Sequence, residues 1–314
     1  MLPSIHFCVA HPASPIHDAC YSFSMLVAIA LSLAFAAAPD AVLEARFELI
    51  AQEARGRAGA AAELIETGQS AAFQGGDRFP MESVAKLPIA MMILSEVDRG
   101  NLTMDEKIRV LPADLVPPGM HSPLRDQHPH GSEASIRALL EHTIQQSDGT
   151  ASDVLLRLTG GPKRVTAYIR TLGVEGMAIE VSEGAIGRND QAGYRNSTTP
   201  ESAVALLRAL EAGRGLSPES RAMLLRLMST SSTSVNRIQG LLPQGTPVAH
   251  KTGSSGTAHG VTRGTNDIGI VTLPDGRHLA IAAFVADSRA GEAVREGVIA
   301  KTVRAAWEHW FQQR

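Results

Sequence analysis

The sequence predicts an α/β fold: an antiparallel sheet flanked by N- and C-terminal helices, with an all-helical domain inserted between its strands. Three observations lead there. Strand-like runs lie near both ends of the chain, at residues 60–73 and again at 267–273 and 278–285. A helical pattern fills the middle from Ser83 onward without a strand-like break. Helix-like segments at 43–55 and 295–311 bracket the strands on both sides. A sheet built from both ends of a chain must close around whatever lies between them, which makes the middle an insertion.

The elements follow in order. Residues 25–38, MLVAIALSLAFAAA, are an apolar run ending in small residues, with Ala36 and Ala38 flanking Ala37 and Pro39 behind them. This is the pattern of an export signal and its cleavage site. The run is too short to span a membrane, which takes about 20 apolar residues. No Lys or Arg precedes it, which fits a translation start at Met25. Residues 1–38 therefore read as an upstream segment and signal peptide, and the product as periplasmic or secreted.

Residues 43–55 have the periodicity of an amphipathic helix. Residues 60–73 are small and apolar around the turn pair Thr67-Gly68 and predict a hairpin. In the middle, residues 133–146 predict a helix, and Pro162, Pro200 and Pro218 each stand where a helix begins. Thr199 and Ser217 precede the last two as N-caps. Residues 267–273 and 278–285 are joined by Pro274-Asp275-Gly276-Arg277, residues that favour a chain reversal. The closing helix carries Val298, Val303, Trp307 and Trp310 among its apolar positions. The expected division is an α/β domain of 39–82 and 222–314 and an all-helical domain of 83–221.

The formal net charge is a small -3 over 314 residues, and no basic stripe of a nucleic-acid-binding protein stands out, which leaves a small-molecule partner. A monomer without a stable membrane anchor is expected. The two cysteines, Cys8 and Cys20, lie upstream of the cleavage site, so the exported chain has no disulfide and no cysteine metal site. No His-x-x-x-His cluster offers a metal site either, and no cofactor is expected.

Five lysines occur, at 86, 107, 163, 251 and 301, so a lysine inside a motif is informative. Ser83-Val84-Ala85-Lys86 is the one Ser-x-x-Lys, and a spacing of three puts both side chains on one helical face. A serine hydroxyl is a weak nucleophile until a base takes its proton, and a desolvated lysine can do so. The helix start also points backbone N–H groups at a developing oxyanion. Ser147-Asp148-Gly149 lies on a loop from which a hydroxyl could pass a proton to a leaving nitrogen, although alone it also fits a capping turn. Ser152-Asp153, just beyond it, reads as structural. Lys251-Thr252-Gly253-Ser254 offers a cation and hydroxyls that could hold a carboxylate, with a glycine that lets a ligand lie against an edge strand.

In this order the three segments correspond to the Ser-x-x-Lys, Ser-Asp-Asn and Lys-Thr-Gly set of class A β-lactamases and penicillin-binding proteins. From about Leu43 to the C-terminus the chain resembles those enzymes, and with them a β-lactamase/transpeptidase-like fold. The stretch from Ser182-Glu183-Gly184 to Asn196 resembles the omega loop of class A, most similarly the enlarged loop of the extended-spectrum subgroup. The resemblance implies Ser83 as nucleophile, Lys86 as its base with or without a water bound to Glu183, and Ser147 as proton relay. It implies Glu183 as the base of deacylation, the backbone N–H groups of Ser83 and Ser254 as oxyanion hole, and Lys251, Thr252, Ser254 and Arg237 around the carboxylate of a β-lactam.

The departures are specific. Gly149 replaces the asparagine that contacts the substrate, Gly187 the asparagine that helps hold the water, and Val181 and Asn196 the Arg–Asp pair that staples the usual loop. Thr265 occupies the alternative arginine site, and His121 falls at the aromatic gatekeeper. The expected activity is β-lactam hydrolysis conferring antibiotic resistance. A DD-peptidase or a slowly deacylating penicillin sensor is the alternative, against which Glu183 argues and for which Gly187 and Gly149 leave room.

Overall fold

The computed structural model describes residues 40–312. The expected signal segment and both cysteines lie outside the described residues. Helix α1 (Ala41–Ala51) begins where the Asp40 side chain accepts the Leu43 N–H, and it buries Leu43 and Phe47. Arg55, with φ +49°, ends the 3-10 turn that follows it.

Strands β1 (Arg57–Leu64) and β2 (Gln69–Phe73) form the predicted hairpin, with Ala62 opposite Ala71. After the two-residue strand β3 (Phe79–Pro80) comes α2 (Lys86–Asp98), whose first ten residues are all buried. A helix apolar on every side belongs inside a core, and α2 is the axis of the helical region.

The middle of the chain is not purely helical. Strand β4 (Lys107–Val110) pairs antiparallel with β5 (Ser132–Ser135), and the short helix α3 (Pro123–Gln127) lies between them. The helix expected over 133–146 is therefore α4 (Ile136–Gln145). Ser135 is its N-cap, accepting from the Ala138 N–H, and the three residues before Ile136 are spent on the β4 ladder. Helices α5 (Gly149–Leu158) and α6 (Pro162–Thr171) follow, then α7 (Glu183–Arg188), β6 (Ser197–Thr198), α8 (Pro200–Glu211) and α9 (Pro218–Ser229). Proline opens α6, α8 and α9 as expected. Thr199 and Ser217 cap the last two by accepting from Ser202 and Ser220.

The remaining strands are β7 (Val248–Ser254), β8 (Thr257–Ala258), β9 (Val261–Thr272) and β10 (His278–Ser288), and α10 (Glu292–Gln312) closes the chain. The antiparallel sheet runs β2-β1-β10-β9-β7, with β8 on β9. Leu43, Phe47, Trp307 and Trp310 pack against one face of the sheet. On the other face Phe79 stacks on Phe284 and leads into the core around α2. Burying each such side chain contributes about 1.5–3 kcal/mol. Strand β7 is an edge, and its free side faces the start of α2. That junction is where the chemistry-bearing residues gather.

Candidate active site

Two short pairings deliver Ser83. Strand β3 is held by β6, and the Met81 N–H donates to the Asn196 carbonyl at 2.8 Å. Glu82 then adopts φ +48°, a conformation a non-glycine residue rarely takes, and turns the chain into the 3-10 start of α2. Lys86 Nζ donates to Ser83 Oγ at 2.6 Å and to Glu183 Oε1 at 2.5 Å. Residues three apart on one helix and a third from a distant loop thus meet at one buried ammonium.

Glu183 opens α7, where Ser182 is the N-cap. Asp153 accepts the Glu183 and Gly184 N–H groups, each at 2.8 Å. Burial pushes the Asp153 carboxyl up to about 6 even though those N–H bonds favour its anion. This residue belongs to the Ser-Asp pair that read as merely structural; its structural role is to hold the backbone of Glu183. A carboxylate directly before the apolar run Val154-Leu155-Leu156 is the signal. In place of the Arg–Asp pair of the usual loop, Asn196 is a neutral staple. Its Oδ1 accepts from the Glu180 and Val181 N–H groups, and its Nδ2 donates to the Val181 carbonyl. At Gly187 a Cβ would meet Met120 Cγ at 2.7 Å and Pro117 Cδ at 3.0 Å, so the loop before α3 fills the space an asparagine would need.

Ser147, at φ +58°, aims its hydroxyl across the cleft, where it accepts from Lys251 Nζ at 2.9 Å. Lys251 lies within the edge strand β7, and it is fully buried. Burial first, and the charge of Lys86 second, pull its ammonium down to about 7. Behind it, His250 Nδ1 sits 2.9 Å from Asp267. Thr252 Oγ1 donates to Thr233 Oγ1 at 2.8 Å.

Arg237 is buried and fully engaged along one edge. It donates to Glu296 at 3.1 Å, to the Gly253 and Asn266 carbonyls, and through Nη2 to Ser254 Oγ at 2.7 Å. Burial opposes the charge of Glu296, but the Ser234 hydroxyl and the Arg237 guanidinium hold its pKa below the usual carboxylate range. Arg295, expected only as the start of the closing helix, donates to Thr265 Oγ1 at 2.9 Å, so a guanidinium does reach the alternative arginine site.

One expected site residue is covered. Gly149 is buried at the start of α5, and its N–H donates to the His121 carbonyl. A Cβ there would meet that carbonyl at 3.2 Å, so the 116–121 loop covers it. His121 does line the cleft, with Nε2 2.8 Å from the Gln146 carbonyl.

The cleft has two lobes, of about 670 and 430 Å³, and Ser83, His121, Ser147 and Ser254 line both. The first reaches toward Arg237 and α10; the second runs under α7 past Glu183, Gly187 and Asp190. A nucleophile at the junction, with a cationic side and a carboxylate on the other, suits an acyl compound that carries an anion. Residues 42–310 match the β-lactamase enzyme family. The chain belongs to that family.

Among its relatives are the extended-spectrum β-lactamase PER-1 of Pseudomonas aeruginosa, 38% identical over 234 residues, 74% of this chain and 75% of that one. The β-lactamase VEB-1 of the same organism is 35% identical over 237 residues, 75% of this chain and 79% of that one. A solved β-lactamase from Chitinophaga pinensis superposes with a TM-score of 0.83 at 41% identity, covering 86% of this chain and 99% of that one. These likenesses establish the β-lactamase fold and a class A β-lactamase. Among the described residues no helix is long and apolar enough to cross a membrane, and no cluster of His, Cys, Asp and Glu could hold a metal.

Proposed function

We propose that this enzyme opens β-lactam rings through an acyl-enzyme on Ser83 and clears it with a water activated by Glu183. Lys86, shared between Ser83 Oγ at 2.6 Å and Glu183 Oε1 at 2.5 Å, carries the proposal. Ser83 Oγ attacks the lactam carbonyl carbon; its proton goes to Lys86 when that residue is the neutral amine, or through water to the Glu183 carboxylate when Lys86 is the ammonium. The carbonyl oxygen takes the negative charge beside the N–H groups of Ser83 and Ser254; removing one such donor typically costs about 2.7–4 kcal/mol of barrier. The carbon–nitrogen bond then breaks, and the nitrogen receives a proton through Ser147. Lys251, Thr252, Ser254 and Arg237 hold the substrate carboxylate. In the second half, water attacks the ester carbon, Glu183 takes its proton, and Ser83 Oγ leaves with a proton restored.

This reading carries three further proposals: antibiotic resistance by export of the enzyme to the periplasm or medium, a monomeric state, and the division into domains of 39–82 with 222–314 and of 83–221. Glu183→Gln tests the chemistry. It should acylate at an appreciable rate and release product about 10²–10⁴-fold more slowly, so enzyme plus intact penicillin accumulates by mass. Turnover of that variant at the parental rate would defeat the role of Glu183, and a peptidase or sensor would show a slow step indifferent to it.

A further inference from the structure

A buried ion pair lies directly beneath the nucleophile, and the reaction just described does not use it. Glu82, the residue before Ser83, is 7% exposed. Arg263 of β9 grips both its oxygens, Nε to Oε1 at 2.6 Å and Nη2 to Oε2 at 3.0 Å. The third nitrogen, Nη1, donates to the Asp190 carbonyl at 2.5 Å and to the Asp190 carboxylate. One guanidinium therefore joins the backbone that carries Ser83 to the far arm of the loop that starts at Glu183.

Glycines make the room. A Cβ at Gly193 would meet the Arg263 guanidinium carbon at 2.5 Å, and one at Gly264 would meet Glu82 Cγ at 2.8 Å. Arg263 also lies over the Tyr194 ring at 5.8 Å, and the Tyr194 hydroxyl donates to Asp287 of β10 at 2.5 Å. A buried ion pair is weak as a source of net stability, because its desolvation consumes much of its attraction. A positional role accounts better for this one, at this place and with this third partner.

We infer that Arg263 is a positioning residue that locks the Glu183-bearing loop to the backbone of Ser83 and so keeps Glu183 in register with the acyl carbonyl. The inference rests on the acyl-enzyme reading of Ser83 and Glu183. Its consequence is selective. With Lys86 as base, acylation draws on Ser83 and Lys86, which one helix start aligns by itself. Deacylation needs two separate elements in register.

The test uses Arg263→Lys and the neutral pair Glu82→Gln/Arg263→Gln, each measured for melting temperature, single-turnover acylation and decay of the acyl-enzyme mass. Lysine can neutralise Glu82 but cannot fork it and reach Asp190 together. Deacylation should fall about tenfold or more while acylation stays within about threefold, since misplacement of roughly 1 Å can cost 10²-fold. A folded variant that deacylates at the parental rate, or loses both steps equally, would overturn the inference. Should neither variant fold, Asp190→Ala, which removes the carboxylate half of the loop contact and leaves the carbonyl half, should slow deacylation by a smaller factor with acylation unchanged, and deacylation at the parental rate would overturn the inference. Glu183→Gln run alongside separates the failures. If it stalls while the Arg263 variants do not, only the positioning role falls; if it deacylates normally, the acyl-enzyme reading falls first.

Discussion

Lys251 and Arg237, the cations proposed to hold the substrate carboxylate, are both buried, and burial gives them particular liabilities. The Lys251 ammonium, pulled down to about 7 by burial, is charged below that pH and neutral above it. Its pull on a substrate carboxylate is therefore present in acid and lost as pH rises through about 7. The KM for a penicillin should climb above about pH 7 with a smaller change in kcat; a flat KM from roughly pH 6 to 9 would dismiss the shift. The same group binds fewer protons folded than unfolded between about 7 and its usual 10.5, so it makes stability rise with pH across that window. Arg237→Ala should raise KM about ten- to a hundred-fold, since a charge-assisted hydrogen bond contributes about 1.5–3 kcal/mol. It should also lower the melting temperature, because Glu296 loses its cation. Adding Glu296→Gln should restore stability but not KM. Recovery of both would make Arg237 a structural residue only.

At the level of elements, α7 and its loop are held by bonds from Asp153 and Asn196 to the backbone, in place of the ion pair that staples the usual loop. Asp153 supplies one oxygen to each of two N–H groups, and asparagine has only one oxygen to offer. Asp153→Asn should therefore lose about 1–3 kcal/mol and roughly 2–10 °C of melting temperature, and deacylation should slow with it. An unchanged melting curve would mean the loop is held elsewhere, Asn196 being the next candidate. Most elements were legible because their signals are local. Proline at N1 with a Thr or Ser cap marked α8 and α9, and Pro-Asp-Gly-Arg marked the turn between β9 and β10. The stretch 133–135 was not legible, because the ladder that claims it belongs to β4, far enough away that helical periodicity simply ran on through it.

For the whole molecule, the sheet draws on strands from both ends, and the N-terminal cap of α1 already stands at Asp40. The exported protein should begin near Pro39, and a chain started there should melt like the exported one. N-terminal sequencing of protein from the periplasm or medium checks the first point, and an intact Met1 chain recovered from the cytoplasm would overturn export.

The sequence alone determined the three motif segments, their order, the Ser83–Lys86 pairing and the α/β fold with its helical insertion. Each rests on neighbours in the chain: a spacing of three, a cap and its proline, a turn between two apolar runs. Only the tertiary structure decided that Lys86 also reaches Glu183, that Gly149 is covered by the 116–121 loop, and that Asp153 and Arg263 hold the omega loop. Their partners stand 97 residues away for Lys86, 30 for Asp153 and 181 for the Arg263–Glu82 pair. No periodicity or propensity links residues at such separations. Topology and close packing bring them together, and whether a buried charge finds a partner is settled only there.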